Sequence, residues 1–319
     1  MNDAAIFDFW HRRAAEGMAV ALVTITRVEG SSMRAPGAHM AVAADGRWSG
    51  SISAGCVEQA IVADAVETIR RGCPREIRFG AGSPYIDIRL PCGGSLDVLI
   101  VPAPDAAIPA RALELLGARV PFTLSLPLGP GAIALAEGLP EWKTRRTPAA
   151  FAVRHLPPLA IAIVGHGAVV EAMLDVAAAV SAVTRVATHD RDLIETLEAR
   201  GVPVRALTMP DEAADLAADR WTAIPFFFHD HDWETALLGQ ALAGPAFYVG
   251  AMGSRATHAR RLDTLRREGV AEALIERLRA PFGLIHSSRD PEVLALSTLA
   301  EIVRDWQSAT AAPHVDEGG

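Results

Sequence analysis

Leu159-Ala160-Ile161-Ala162-Ile163-Val164-Gly165-His166-Gly167-Ala168 is the stretch whose reading decides the fold. An apolar run broken by two glycines predicts a strand, a tight turn and the start of a helix over 168–180. Thr184 to Thr188 predicts the next strand, which closes on an acidic turn at Asp190. Ala223 to Phe228 and Ala246 to Val249 repeat the pattern with helical segments between them. Strands alternating with helices at this spacing imply a Rossmann-like, doubly wound parallel sheet covered on both faces.

Upstream the rhythm differs. An amphipathic helix around Ile6 to Ala15 precedes an apolar strand from Ala19 to Val28. Asp45-Gly46, between the strand-like runs His39 to Ala43 and Arg47 to Ser53, is a hairpin signal. From Cys56 to Arg71 the positions Val57, Ala60, Ile61, Ala65 and Ile69 recur at helical spacing and predict a helix ending at Gly72. Leu96 to Val101 and Phe122 to Leu126 read as strands around a helix from Ala106 to Leu116. The pattern decays from Gly138 to Pro157-Pro158. The expected organisation is a mixed α+β domain over 1–140, a linker over 141–158, the parallel-sheet domain over 159–308 and a tail over 309–319.

Composition excludes whole classes. In 319 residues, 38 acidic against 30 basic side chains give a net charge of −8, which counts against electrostatic binding of nucleic acid. Lys143 is the only lysine and no glycine precedes it, so there is no Walker A motif. Three cysteines, Cys56, Cys73 and Cys92, do not make a disulfide scaffold, and no leader-like or membrane-spanning apolar run is evident. The expectation is a soluble cytoplasmic protein with reduced thiols.

Several constellations are able to carry chemistry. Gly165-His166-Gly167 opens a helix, where backbone N–H groups and the helix dipole hold anions, and Asp190 stands where an acid meets a ribose hydroxyl. Val170 departs from the small third position of the dinucleotide fingerprint, so a tight turn holding no nucleotide stays open. Gly250-Ala251-Met252-Gly253-Ser254-Arg255 is either a second anion clamp or a helix capped by Ser254 beside a solvated arginine. His229 and His231 would share one face if their strand continued, a spacing that permits a metal, and Asp230 and His231 lie at the ligand-binding edge of such a sheet. Cys56, at a helix start, is placed to be a thiolate, and Cys92 precedes Gly93-Gly94, where backbone approaches a ligand closely. Thiolates there suit molybdenum or sulfur; the competing reading is two small buried apolar residues. Cys73 reads as structural. The loop from Gly30 to Gly37, with Arg34, is either a phosphate cradle or a connecting turn.

Taken in order, Gly30-Ser31-Ser32 to Pro36-Gly37, Gly50-Ser51 to Gly55-Cys56-Val57-Glu58, Cys92-Gly93-Gly94, Gly165 and Gly167, Asp230-His231, Phe247 to Arg255 with His258, Arg260 and Arg261, and Pro281-Phe282-Gly283 resemble the XdhC/CoxI family. These are molybdenum-cofactor-binding accessory proteins of xanthine dehydrogenase and related hydroxylases. The resemblance covers nearly the whole chain. It implies a dimeric cytoplasmic chaperone, not an enzyme, that binds molybdenum cofactor and favours its sulfuration by a NifS-type cysteine desulfurase. The product would be delivered to apo-xanthine dehydrogenase. It further implies that Cys56 and Cys92 contact molybdenum or its sulfur and that Glu58 orients the site. Gly165, Gly167, Asp190, Gly250, Ser254 and Arg255 would receive pterin phosphate or a nucleotide. The alternatives are an NAD(P)-dependent oxidoreductase, against which the lack of a Tyr-x-x-x-Lys pair counts, and a nucleotide sensor that regulates cofactor insertion.

Overall fold

The computed structural model describes residues 3–317 except 33, 54, 56, 84–92, 104, 210–215, 217, 229, 230, 286 and 287, and it leaves the side chains of His231 and Asp232 undescribed. Two compact units result, residues 2–157 with 312–319, and residues 158–311.

In the first unit, β1 (Val20–Glu29) is the centre of an antiparallel sheet. Its neighbours are β2 (His39–Ala43) and β3 (Trp48–Gly50) on one side, and β5 (Ser95–Pro102) and β4 (Arg75–Gly80) on the other. β1 reads as a continuous apolar run because both of its faces are covered. Ala21, Val23 and Ile25 pack with Ile61 and Ala65 of α2 (Glu58–Arg71), while Val20 and Leu22 pack with Phe7 and Trp10 of α1 (Asp3–Ala15) and with Leu115 of α3 (Ala107–Gly117). α2 stops where the sequence indicates: Gly72 adopts φ 65° and its amide reaches the carbonyls of Thr68 and Ile69.

A second sheet in this unit orders β16 (His314–Asp316), β8 (Thr144–Arg146), β9 (Ala150–His155), β6 (Phe122–Pro127) and β7 (Ala134–Glu137). It corrects two expectations. The segment 141–158 is not a linker, because Phe151 and Val153 of β9 are buried in the core. The final residues are not a tail, because His314, Val315 and Asp316 pair in parallel with Thr144, Arg145 and Arg146. Both strands are too short for a periodic signal, and their pairing joins residues some 170 positions apart in sequence, Thr144 Oγ1 and His314 Nδ1 lying 2.7 Å from each other.

The second unit is a parallel sheet. β10 (Ala160–Gly165) lies between β11 (Val183–Thr188) and β13 (Thr222–Phe227). β12 (Val204–Ala206) flanks β11, and β14 (Tyr248–Ala251) and β15 (Leu278–Arg279) follow β13. The order β12-β11-β10-β13-β14-β15 is that of a Rossmann fold, with the switch point at β10. Alternation along β10 sorts the covering helices. Ile161 and Ile163 face the cluster of α4 (Ala168–Ala179), α5 (Arg191–Ala199) and α9 (Pro291–Ala309). Ala162 and Val164 face that of α6 (His231–Ala243), α7 (Arg255–Arg267) and α8 (Glu272–Ile275). Among the described residues no helix is long and apolar enough to cross a membrane.

Candidate functional site

The antiparallel order of the first sheet gathers three loops at one end. Glu29 pairs with Ser95, Gly80 with Ser95, Thr24 with His39 and Met40 with Gly50. The connection after β1, the turn after β3 and the chain between β4 and β5 therefore all leave from the same edge. These are the segments that contain Arg34, Cys56 and Cys92. The two cysteines themselves lie outside the described residues, as does Asp230.

Close backbone approach explains the paired glycines. A Cβ on Gly94 would stand 2.2 Å from the carbonyl oxygen of Glu29, and one on Gly30 would stand 3.1 Å from Gly94 Cα. Gly94 is thus required for the crossing of two chains. Gly93, at φ 70°, has nothing within 4 Å of a Cβ position, and Gly55, at φ 112°, is equally open. Neither position is crowded as Gly94 is, although the Gly55 amide is committed to Glu58.

Glu58 organises the turn before α2. Its Oε1 accepts from Ser51 Oγ at 2.8 Å, from Ile52 N at 3.2 Å and from Ser53 N at 2.8 Å. Its Oε2 accepts from Ser53 Oγ, from Gly55 N at 2.8 Å and from Val57 N at 3.3 Å. Burial opposes the charge on this carboxyl, but the hydrogen bonds from Ser53 and Ser51 outweigh it and hold the group down at about 2. A fixed anion thereby ties Ser51, Ile52, Ser53, Gly55 and Val57 to one carboxylate. The serines of Ser51-Ile52-Ser53, five to seven positions before a helix-start glutamate, are the signal for this arrangement.

Arg34 is half-buried, and its Nε has no hydrogen-bond partner among the described residues. Burial lowers its guanidinium pKa, which the charge of Asp3 partly offsets. Cys73, read as structural, is exposed just beyond α2, because the αL turn at Gly72 sends the chain outward.

In the parallel-sheet unit the expected residues separate into distinct roles. Gly165, at φ 151°, packs so tightly that a Cβ would stand 2.6 Å from the carbonyl oxygen of Phe227, whereas Gly167, at φ 79°, faces open space. No side chain caps α4, so its first-turn amides are not claimed by a capping group. Asp190 caps α5, accepting from Leu193 N at 3.2 Å. Ser254 caps α7 by accepting from Thr257 N at 3.1 Å, and Arg255 is exposed.

Two placements differ from expectation. Gly250 belongs to β14 and not to the turn after it; a Cβ there would stand 2.6 Å from the Tyr248 hydroxyl and 2.9 Å from the Phe282 ring. Its small size serves packing. His231 begins α6, and β13 ends at Phe227, so the strand that would have aligned His229 with His231 does not continue. Among the described residues no cluster of three metal-ligating side chains occurs.

Among the described residues the buried arginine is Arg261, 4% exposed, and not Arg255. It pairs with Glu234 through Nε at 3.0 Å and Nη2 at 2.8 Å, and Nη2 also donates to the Met252 carbonyl at 2.7 Å. Nearby, His189 stacks on Trp233 with ring centroids 4.6 Å apart, and His166 approaches His189 edge-on. Sequence pattern gave no hint of either grouping, since both join residues on different elements.

An antiparallel unit whose loops converge at one sheet end, joined to a Rossmann-type unit, defines a class of two-unit α/β protein with an open glycine turn at the switch point. Sequence profiles described as XdhC Rossmann domain and as XdhC and CoxI family match residues 161–302 and 13–80. The chain is 32% identical over 286 residues, 90% of its length and 83% of the relative's, to the molybdenum cofactor insertion chaperone PaoD of Escherichia coli (strain K12). It is 34% identical over 93 residues, 29% of this chain and 16% of the other, to the uncharacterized protein YqeB of the same organism. A crystal structure described as a xanthine dehydrogenase from Bacillus halodurans covers 96% of this chain and 98% of its own at a TM-score of 0.75; at 22% identity this is a likeness of fold. The chain belongs to the XdhC and CoxI family.

Proposed function

We propose that this protein is a cofactor-insertion chaperone, not an enzyme, that binds molybdenum cofactor and transfers it to a molybdoenzyme. The observation that carries this reading is the 32% identity to a molybdenum cofactor insertion chaperone across 90% of the chain. The converging loops support it with a place for the cargo. Molybdopterin is an anionic phosphate ester with an oxidisable dithiolene, and its carrier needs an anion contact, approachable backbone and a soft donor. Arg34 and the open glycines Gly55 and Gly93 fit the first two needs. Cys56 and Cys92 are assigned the third, with Glu58 positioning the turn that holds Cys56.

In this reading the carrier acts in the cytoplasm as a homodimer. It presents the cofactor to a NifS-type cysteine desulfurase for exchange of an oxo for a sulfido ligand, and then delivers it to apo-xanthine dehydrogenase. The test is molybdenum and pterin quantified per chain after co-expression with the cofactor pathway. Near-stoichiometric retention is expected, with loss in Cys56→Ser or Cys92→Ser and none in Cys73→Ser. Retention unchanged in both of the first two variants overturns the thiol assignment, and no retention in the unaltered chain overturns the carrier.

The uncapped N-terminus of α4 favours a second, compatible role for the other unit, in which Gly165 and Gly167, with Asp190, Ser254 and Arg255, take a nucleotide or the pterin phosphate. Calorimetry with NAD(H) and with a mononucleotide separates this sensor-like role from simple carriage.

A further inference from the structure

One buried cation at the carboxyl edge of the parallel sheet keeps donors that the fold does not use. Arg261 of α7 commits Nε and Nη2 to Glu234 and to the Met252 carbonyl, while its buried Nη1 has no hydrogen-bond partner among the described residues. The side chain is 3% exposed. A buried donor left unmade is costly, so the guanidinium calls for an acceptor.

The turn before α7 shows where that acceptor fits. A Cβ on Gly253 would stand 3.6 Å from Arg261 Nη2, and Gly253 is itself exposed, at φ 139°. The guanidinium therefore lies directly beneath the turn, and no side chain at 253 stands over it. The same turn begins a helix of 13 residues. Ser254 Oγ accepts from Thr257 N at 3.1 Å and the Ser254 carbonyl from His258 N at 2.9 Å. The amides of Arg255 and Ala256 then have no acceptor within the helix.

The surroundings suit an anion. His258, half-buried on the next turn, has an Nδ1 that also lacks a partner among the described residues. Burial, followed by the charge of Arg261, lowers its pKa. From Gly250 to Leu262 the sequence holds Arg255, Arg260 and Arg261 and no acid. Glu234 is already paired with Arg261, and further along α7 and α8 Asp263 and Glu272 pair with Arg266. Three donors thus approach one point from three directions, which matches the terminal oxygens of a tetrahedral group better than the two of a planar carboxylate.

We propose that the turn Gly253–Ala256 is a subsite for the phosphoryl group of a phosphate monoester, which accepts from the amides of Arg255 and Ala256 and from Nη1 of Arg261. The anion contact stands on this geometry; that its ligand is a nucleotide or a pterin phosphate rests on the second role proposed for this unit. The charged contact then belongs to α7, and Gly167 at α4 remains an open turn beside it.

Sulfate is the probe, because its charge does not change near neutral pH. Amide and guanidinium resonances of the isotopically labelled full chain, followed through a sodium sulfate titration at constant ionic strength, test the subsite without any cofactor. The amides of Arg255 and Ala256 and Nη1 of Arg261 are expected to shift together and saturate at one half-point. Arg255→Pro removes one donor and keeps the helix, since Ser254 is already extended and proline suits the first helical position. Arg255→Ala removes the exposed side chain only. The proline variant should bind sulfate about tenfold more weakly than the alanine variant.

Shifts that never saturate, or that gather at Gly167 to Val170, mean an adventitious ion only and overturn the subsite. Unmoved Arg261 resonances, or equal affinities in the two variants, overturn it as well. The titration of the unaltered chain decides the matter even if the proline variant does not fold. AMP displacing sulfate at well below the concentration that inorganic phosphate needs supports the subsite as a nucleotide site; equal displacement supports it as a site for a phosphate ester read without its base. Loss of molybdenum and pterin from the chain with sulfate binding intact would overturn the carrier function and leave the subsite standing.

Discussion

The loop end of the antiparallel sheet and the carboxyl edge of the parallel sheet solve one problem by opposite means. Both hold a glycine-bearing turn in a fixed shape. At the first, a buried carboxylate, Glu58, collects donors from Ser51 to Val57. At the second, no side chain caps α4 and the turn is shaped by glycine volume alone, with the buried charge of Glu234 and Arg261 set back between α6 and α7. The first edge is therefore sensitive to protonation and the second to added volume.

The largest effect belongs to the buried pair. Arg261→Met keeps the packing volume and leaves Glu234, 2% exposed, without its guanidinium; an uncompensated buried charge costs about 3–5 kcal/mol. Urea unfolding should show this loss, and adding Glu234→Leu should restore much of it. A single variant as stable as the unaltered chain would mean that the pair is not what joins α6 to α7.

Next is Glu58→Gln. Lowering a carboxyl from its ordinary 4.5 to about 2 corresponds to roughly 3 kcal/mol of stability. That contribution is fully present above pH 4.5 and is lost as pH falls through about 2. The variant should lose about that much at pH 7, and the difference between the two chains should shrink in acid. A difference that is constant from pH 7 to 2.5 would remove the charge from the explanation and leave only shape.

The same contrast explains what could be read in advance. The parallel sheet was legible because each strand is a local apolar run followed by a turn, as at Ile161 to Gly165, and because the cap at Ser254 and the stop at Gly72 are local chemistry. The second sheet was not, because β8 and β16 are three residues each and acquire meaning only when His314 returns to Thr144. For the site, motif order named Glu58 and the glycine loops as candidates, but their meeting at one end of the first sheet follows from strand pairing between distant segments and left no local signal. Gly250 was misplaced because a glycine needed beneath a tyrosine hydroxyl looks in sequence like a glycine needed for a turn. Buried pairs such as His39 with His155, separated by more than a hundred residues, leave no periodic trace.

Volume sensitivity is tested by two neighbouring substitutions. Gly165→Ala brings a methyl to 2.6 Å from the Phe227 carbonyl oxygen and should destabilise the parallel-sheet unit by about 2–3 kcal/mol in thermal unfolding. Gly167→Ala meets no atom within 4 Å and incurs only the backbone strain of φ 79°, of order 1 kcal/mol. Equal losses in the two would erase the distinction between a packing glycine and a ligand-facing one.

The smallest effect is the most discriminating for nucleotide binding. Asp190 caps α5, so Asp190→Ala should cost about 1 kcal/mol whether or not a ribose ever reaches it. Stability alone therefore says nothing about a ligand. Asp190→Asn preserves the cap, because an amide oxygen accepts from Leu193 N as a carboxylate does, but it removes the charge and one of the acceptors a ribose diol would use. A ribose contact predicts that Asn matches the unaltered chain in unfolding and falls short of it, together with Ala, in NAD(H) or mononucleotide affinity. If affinity instead follows stability, with Asn intact and Ala weakened, then Asp190 acts on the glycine turn only by holding α5 in place.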